Sequence, residues 1–157
     1  MGDQDHSLDL KIPPAVLAVV FAFAMWLVSR ATPVLEISLT YRLGVGSALA
    51  AAGFILALSG IVTFRGAGTT IHPTAPHTAS SLVTTGVYRF TRNPMYLGIL
   101  LVLLGWGLFL GSLPSLFILP LFVAYMSRFQ ILPEERAMAA LFGSEYAAYR
   151  HKVRRWI

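Results

Sequence analysis

Hydrophobic positions in this chain come in long uninterrupted runs, not in the three-and-four spacing of an amphipathic helix or the alternation of a half-buried strand. Ile12 to Ser29, Leu43 to Phe64 and Asn93 to Ser127 contain no charged residue. A membrane-spanning helix needs about 20 apolar residues, so each run predicts at least one span. The third run has 35 residues, and as a single helix it would reach about 52 Å against a hydrocarbon core of about 30 Å. It is expected to fold back at Gly111-Ser112-Leu113-Pro114-Ser115, where glycine tolerates a turn and proline disfavours helix in the residue before it. The pattern predicts an all-α polytopic membrane protein with about four transmembrane helices, the last two a hairpin. Composition agrees: 56% of the 157 residues are hydrophobic and 12% are charged, which excludes an ordinary soluble domain.

The segments between the runs differ in character. Met1 to Leu10 is short and acidic, and is expected to be mobile and without chemistry. Asp3, Asp5 and Asp9 face a single Lys11 there, and Val28-Ser29-Arg30-Ala31 is a poor cleavage site, so the first run reads as a retained helix and not a signal peptide. The second run carries Gly44, Gly46, Gly53 and Gly60 among several alanines, a content that lets helices approach closely in lipid. Arg65 to Thr85 is rich in Gly, Pro, Thr and Ser and reads as a surface loop. After the last span, where Arg128 is placed to snorkel to head groups, Leu132-Pro133-Glu134-Glu135 predicts the start of a separate cytoplasmic helix, with proline in the first turn and acids at the positive end of the dipole. Met138, Leu141, Phe142, Tyr146 and Tyr149 keep helical spacing, with Gly143 a break and Ser144 a new cap. The basic end from Arg150 to Ile157 suits an interfacial anchor. We divide the single domain into a two-span scaffold, 1–63, and a site-forming part, 64–157.

Four spans sort the charges unevenly. Lys11, Arg65, Arg89, Arg92, Arg128, Arg136, Arg150, Lys152, Arg154 and Arg155 fall on one side and only Arg30 and Arg42 on the other. The richer side is expected to be cytoplasmic, with both termini there and the cell membrane as location. Membrane lipids, not nucleic acid, are the partners such a formal charge of +5 implies. Without cysteine there is no thiolate nucleophile or sulfur-ligated metal. His72 and His77 lack an acidic neighbour to complete a coordination shell, so no metal is expected.

On that same side lie Tyr88-Arg89, Arg92-Asn93-Pro94, Tyr96 and Glu134-Glu135. Arginine binds carboxylate or phosphate through its planar fork, and glutamate accepts from hydroxyl or ammonium groups. Such a set suits an amphiphilic substrate with a charged soluble cofactor, and equally suits arginines on lipid phosphates with two acids capping a helix.

Leu82-Val83-Thr84-Thr85-Gly86-Val87-Tyr88-Arg89, continuing through Arg92-Asn93-Pro94 and Tyr96 to Gly98, resembles the signature of the isoprenylcysteine carboxyl methyltransferase and phospholipid methyltransferase superfamily. Glu134-Glu135, Phe142-Gly143, Tyr146 and Tyr149 resemble its second block. The resemblance covers Leu82 to Arg150, about half of the chain. It implies a small integral membrane enzyme that uses S-adenosylmethionine to methylate a lipophilic or small acceptor. It also implies a cofactor pocket of Leu82, Val83, Tyr88, Asn93, Tyr96 and Glu135, with Arg92 and Glu134 orienting the acceptor or the amino-acid end of the cofactor. Where many relatives have histidine, this chain has Asn93, which hydrogen-bonds but cannot titrate. Gly105 and Gly107 resemble a glycine-x-glycine element of the phospholipid enzymes and also suit helix contacts. The rival readings are a membrane reductase dependent on a nicotinamide cofactor and a non-enzymatic membrane scaffold.

Overall fold

The computed structural model describes residues 9–68 and 79–157, and among them the chain is helical without a strand. His72 and His77 lie outside the described residues. Four helices make up the fold: α1 (Pro14–Arg30), α2 (Leu39–Gly66), α3 (Pro94–Leu110) and α4 (Leu113–Lys152). A 3-10 turn at Gly86–Arg89 precedes α3. By length and composition α2 and α4 are each able to cross a membrane, while α1 and α3 are apolar helices of 17 residues. Both shorter helices start on proline, whose fixed φ and missing N–H cost nothing in a first turn.

The long apolar run folds back at the predicted place. Gly111 takes the left-handed conformation that ends α3 (φ 66, ψ 24), and the Ser112 hydroxyl accepts the Ser115 N–H at 3.4 Å to open α4. Beyond the span, however, the structure differs from the sequence expectation. No new helix begins at Pro133, because α4 continues through it by way of a π-helical segment, Met126–Ile131. Proline lacks the N–H that would bond the carbonyl four residues back. That carbonyl, Phe129 O, instead accepts the backbone N–H of Leu10 at 3.0 Å. The acidic leader is therefore not free at its far end: Asp9 pairs with Arg136 at 2.8 Å and lies 3.6 Å from Arg128. Arg128, expected to reach for lipid, has a protein partner. Gly143 does break the helix, as a kink at φ 47 and ψ −118.

α2 and α3 pack with their backbones nearly touching. Gly46, Gly53 and Gly60 repeat every seven residues along α2, and Gly98 and Gly105 do so along α3 in the opposite direction. A Cβ at Gly46 would sit 2.8 Å from the Gly105 carbonyl oxygen, and one at Gly53 would collide with the Gly98 carbonyl. In lipid, where apolar burial gives helices no reason to associate, such close approach supplies the attraction. Gly107 is packed by the side-chain ends of Met25 and Leu116 and not by backbone, so both glycines of the glycine-x-glycine element lie at helix contacts. We expect Gly53→Ala to cost about 1–3 kcal/mol through overpacking against backbone that cannot move aside. Thermal unfolding in detergent checks this against Gly44→Ala, where an added Cβ meets nothing within 4 Å.

The helix ends collect at two poles. At one, Thr32 meets Ser112 at 2.7 Å, Leu35 N–H meets Gly111 O at 2.7 Å, and Arg42 Nε donates to Phe109 O at 3.0 Å. At the other, Asp9, Leu10, the 3-10 turn, the start of α3 and the second half of α4 come together. A core of Leu17, Met25, Leu103, Phe122 and Met126 fills the space between α1, α3 and α4.

Candidate active site

The site is built where α3 begins. Gly86 (φ 58) turns the chain into the 3-10 segment, which carries Tyr88 inward to 4% exposure. Phe64 at the end of α2 packs edge-on against its ring, with centroids 5.1 Å apart. Pro94 then bars Asn93 from helical geometry, and Asn93 sits at φ −130 and ψ 58. The sharp entry leaves Tyr88, Arg92 and Tyr96 lining one cavity.

α4 supplies the opposite wall. Its π-helical stretch is a rare geometry found often at functional sites; Gln130 lies within it and Glu134, four residues on, just beyond it. Gln130 Nε2 donates to Glu134 Oε1 at 2.9 Å and to the Tyr96 oxygen at 3.4 Å. The Tyr96 hydroxyl donates to the same Glu134 oxygen. Adjacent residues of a helix diverge by about 100°, so Glu135 belongs to a second network. Its Oε1 accepts Arg92 at 2.8 Å and Arg155 Nε at 3.0 Å, and its Oε2 accepts Arg155 again at 2.6 Å. Tyr149 closes the far side by donating to the Tyr88 carbonyl at 2.8 Å.

These walls enclose a partly open pocket. Every residue singled out from the sequence lines it: Leu82, Val83, Tyr88, Arg92, Asn93, Tyr96, Glu134 and Glu135. The geometry shifts some emphases. Asn93 spends its amide N–H on the Arg155 carbonyl at 2.9 Å, and Arg92 is tied to Glu135. Phe64, Met95, Met138, Tyr146 and Tyr149 are among the other lining residues. Sequence reasoning also passed over Gln130 and Arg155. Gln130 had a legible signal, a polar residue four before Glu134 at the end of an apolar run. Arg155 looked like one more charge in a basic tail.

Two buried donors in the lining lack a partner among the described residues: the Tyr88 hydroxyl and Arg92 Nε. A buried polar atom left unpaired costs about 1–3 kcal/mol, so both are poised for an anionic or carbonyl oxygen. Glu134 carries the opposite character. It lies seven residues past Ser127, where the apolar run ends, and burial pushes its carboxyl up to about 7 although Tyr96 and Gln130 both favour the ionised form. Burial also raises the phenols of Tyr88, Tyr146 and Tyr149, that of Tyr146 to about 12. At neutral pH they act as donors. The pocket thus offers hydrogen-bond donors, aromatic and methionine walls, and one acid able to hold a cation or take a proton.

Comparison with known proteins places the chain in a family. The sequence profile of the phospholipid methyltransferase family matches residues 41–145, two thirds of the chain and nearly all of the pocket. The chain belongs to the phospholipid methyltransferase family. An uncharacterised Haemophilus influenzae protein is 43% identical over 63 residues, which is 40% of this chain and all of that one. Protein-S-isoprenylcysteine O-methyltransferase of Schizosaccharomyces pombe is 35% identical over 72 residues, 46% of this chain but 30% of the yeast protein. No solved structure matches. Membership of this family, with two helices of membrane-crossing length and composition, points to a membrane-associated methyltransferase. A methyltransferase requires a methyl donor. Among the described residues no group of three potential metal ligands occurs.

Proposed function

We propose that this protein transfers a methyl group from S-adenosylmethionine to a lipophilic or small acceptor at the cytoplasmic face of the membrane. The carrying observation is the clustering of the unpaired Tyr88 and Arg92 donors with Glu134 in one apolar-walled pocket of a methyltransferase-family chain. The residues fit that donor. Tyr88 and Arg92 suit its carboxylate, Leu82, Val83, Phe64 and Met95 suit its flat ring, and Glu134 suits its positive charge. S-adenosylmethionine, when bound, supplies an electrophilic methyl group on a sulfonium, whose C–S bond breaks with both electrons passing to sulfur.

The chain's own contribution is alignment and exclusion of water. Tyr96 and Gln130 fix the Glu134 carboxyl so that it favours positive charge in the pocket. Glu134 is also the residue placed to take a proton from an ammonium or thiol acceptor, a task closed to Asn93. A carboxylate acceptor would need no such transfer. We read α1, α2, α3 and the apolar part of α4 up to Ser127 as four spans with both termini cytoplasmic, residues 1–63 acting as scaffold and residues 64–157 as the site. A C-terminal reporter found outside the cell would refute that topology.

Calorimetric titration of the detergent-purified protein with S-adenosylmethionine, its demethylated product and the reduced nicotinamide cofactors tests the proposal. Micromolar binding of the sulfonium pair is expected, and binding of a nicotinamide cofactor alone would turn the assignment to a reductase. Binding should also depend on pH. Glu134 holds its proton below about 7, and a bound cation favours the ionised form, so binding expels that proton. Affinity for the sulfonium is therefore expected to rise up to about tenfold per pH unit toward pH 7 and to level off above it. The demethylated product, uncharged at sulfur, should give a flatter profile in the same titrations.

A further inference from the structure

The segment after α4 does more than anchor the chain. Val153 leaves the helix in an extended conformation, and the next residues double back across the start of α3. Arg92 N–H donates to the Arg154 carbonyl at 3.0 Å. The Arg155 carbonyl accepts the Thr91 hydroxyl at 3.3 Å and the Asn93 side chain at 2.9 Å, while the Trp156 indole N–H reaches Ser127, inside the π-helical stretch, at 3.2 Å. Three consecutive residues thereby tie together both walls of the pocket. The Arg155 guanidinium then takes both oxygens of Glu135, and Glu135 holds Arg92.

We propose that Arg155 is a positioning residue of the methyl-donor pocket: it fixes the Glu135 carboxylate, and through it orients Arg92 so that the unpaired Nε is presented to a ligand. The inference rests on reading the pocket as a donor site. Arg155 lies ten residues beyond the stretch that the family profile matches, so nothing in that match assigns it a task. The physical grounds are bidentate geometry and shared charge. One carboxylate serves two guanidiniums, and a fork-to-fork pair fixes the orientation of both partners where a lysine would fix only a distance. Without Arg155, Glu135 keeps a single monodentate partner and is free to swing, and Arg92 loses its fixed carboxylate, keeping only the long 3.3 Å bond from its Nη1 to the Arg150 carbonyl. The Arg155 side chain is 32% exposed at its outer edge, so the missing group can be supplied from solution.

The test compares wild type, Arg155→Ala and Arg155→Lys, measuring S-adenosylmethionine affinity with and without millimolar guanidinium, thermal unfolding, and hydrogen exchange at the Arg92 amide. The expected result is a loss of affinity of tenfold or more in Arg155→Ala, partly restored by guanidinium and only weakly by the lysine variant, with faster exchange at Arg92. Unchanged affinity in Arg155→Ala would overturn the proposal. So would a loss that guanidinium does not restore and that scales with a lowered unfolding temperature, since that is a purely structural effect. If the wild type itself binds no S-adenosylmethionine, the donor reading fails separately. Hydrogen exchange then decides the positioning role: faster exchange at Arg92 with α3 unchanged upholds it, and unchanged exchange overturns it.

Discussion

Glu135→Ala is expected to abolish donor binding, lowering affinity by at least about a hundredfold, and to destabilise the protein as well. The family resemblance implies that Glu135 is a cofactor-binding acid. The structure gives it an additional task. Its side chain is 8% exposed and neutralises Arg92, 11% exposed, together with Arg155. Removing one partner of a buried ion pair strands the other charge and costs about 3–5 kcal/mol. Here the stranded charge is Arg92, the proposed donor to an anion, since the more exposed Arg155 can turn to solvent. Titration and thermal unfolding of the same preparation should show both losses. Glu135→Gln should recover part of the stability, since it keeps an acceptor for one arginine, while binding stays impaired. Normal binding by Glu135→Ala would remove this network from the site.

The second large effect is expected at Glu134. Glu134→Gln preserves shape, and its carbonyl oxygen can still accept the Tyr96 hydroxyl, so the unfolding temperature should stay close to wild type. Activity should not. A positioned base contributes about 10²–10⁴ in rate, and that loss is expected with an acceptor that must shed a proton, an amine or a thiol. With a carboxylate acceptor only the electrostatic support of the transferring methyl is lost, and the reduction should be smaller. Initial rates with labelled methyl donor across the three acceptor types therefore report both the role of Glu134 and the acceptor class. Equal rates for wild type and variant on every acceptor would show that Glu134 takes no part.

Much of this site was legible in one dimension because its residues fall in two short blocks with fixed local spacing. Tyr88, Arg92 and Tyr96 are four apart, so a single turn of structure followed by the first turn of α3 brings them to one wall. Glu134-Glu135 were visible as acids after an apolar run. Their division of labour was not. Adjacent carboxylates look alike in sequence, and only the position of Tyr96 and Gln130 against one, and of Arg92 and Arg155 against the other, separates a poised acid from a structural counter-ion. Asp9 shows the same limit: it read as part of a featureless leader, but the proline at position 133 leaves a carbonyl at Phe129 unpaired, and Leu10 docks there with Asp9 beside Arg128 and Arg136.

The chain's sequence alone determined the helical class and the fold-back at Gly111, because hydrophobic run length and turn chemistry are local properties, while the eight residues that line one pocket were named through the family resemblance. The tertiary structure alone decided that α4 runs unbroken through Pro133, that the repeating glycines of α2 and α3 face one another, and that Arg155 reaches Glu135 from twenty positions away. Those outcomes depend on which groups meet across the fold, and the energy of a hydrogen bond or an ion pair depends on a partner that no local pattern names.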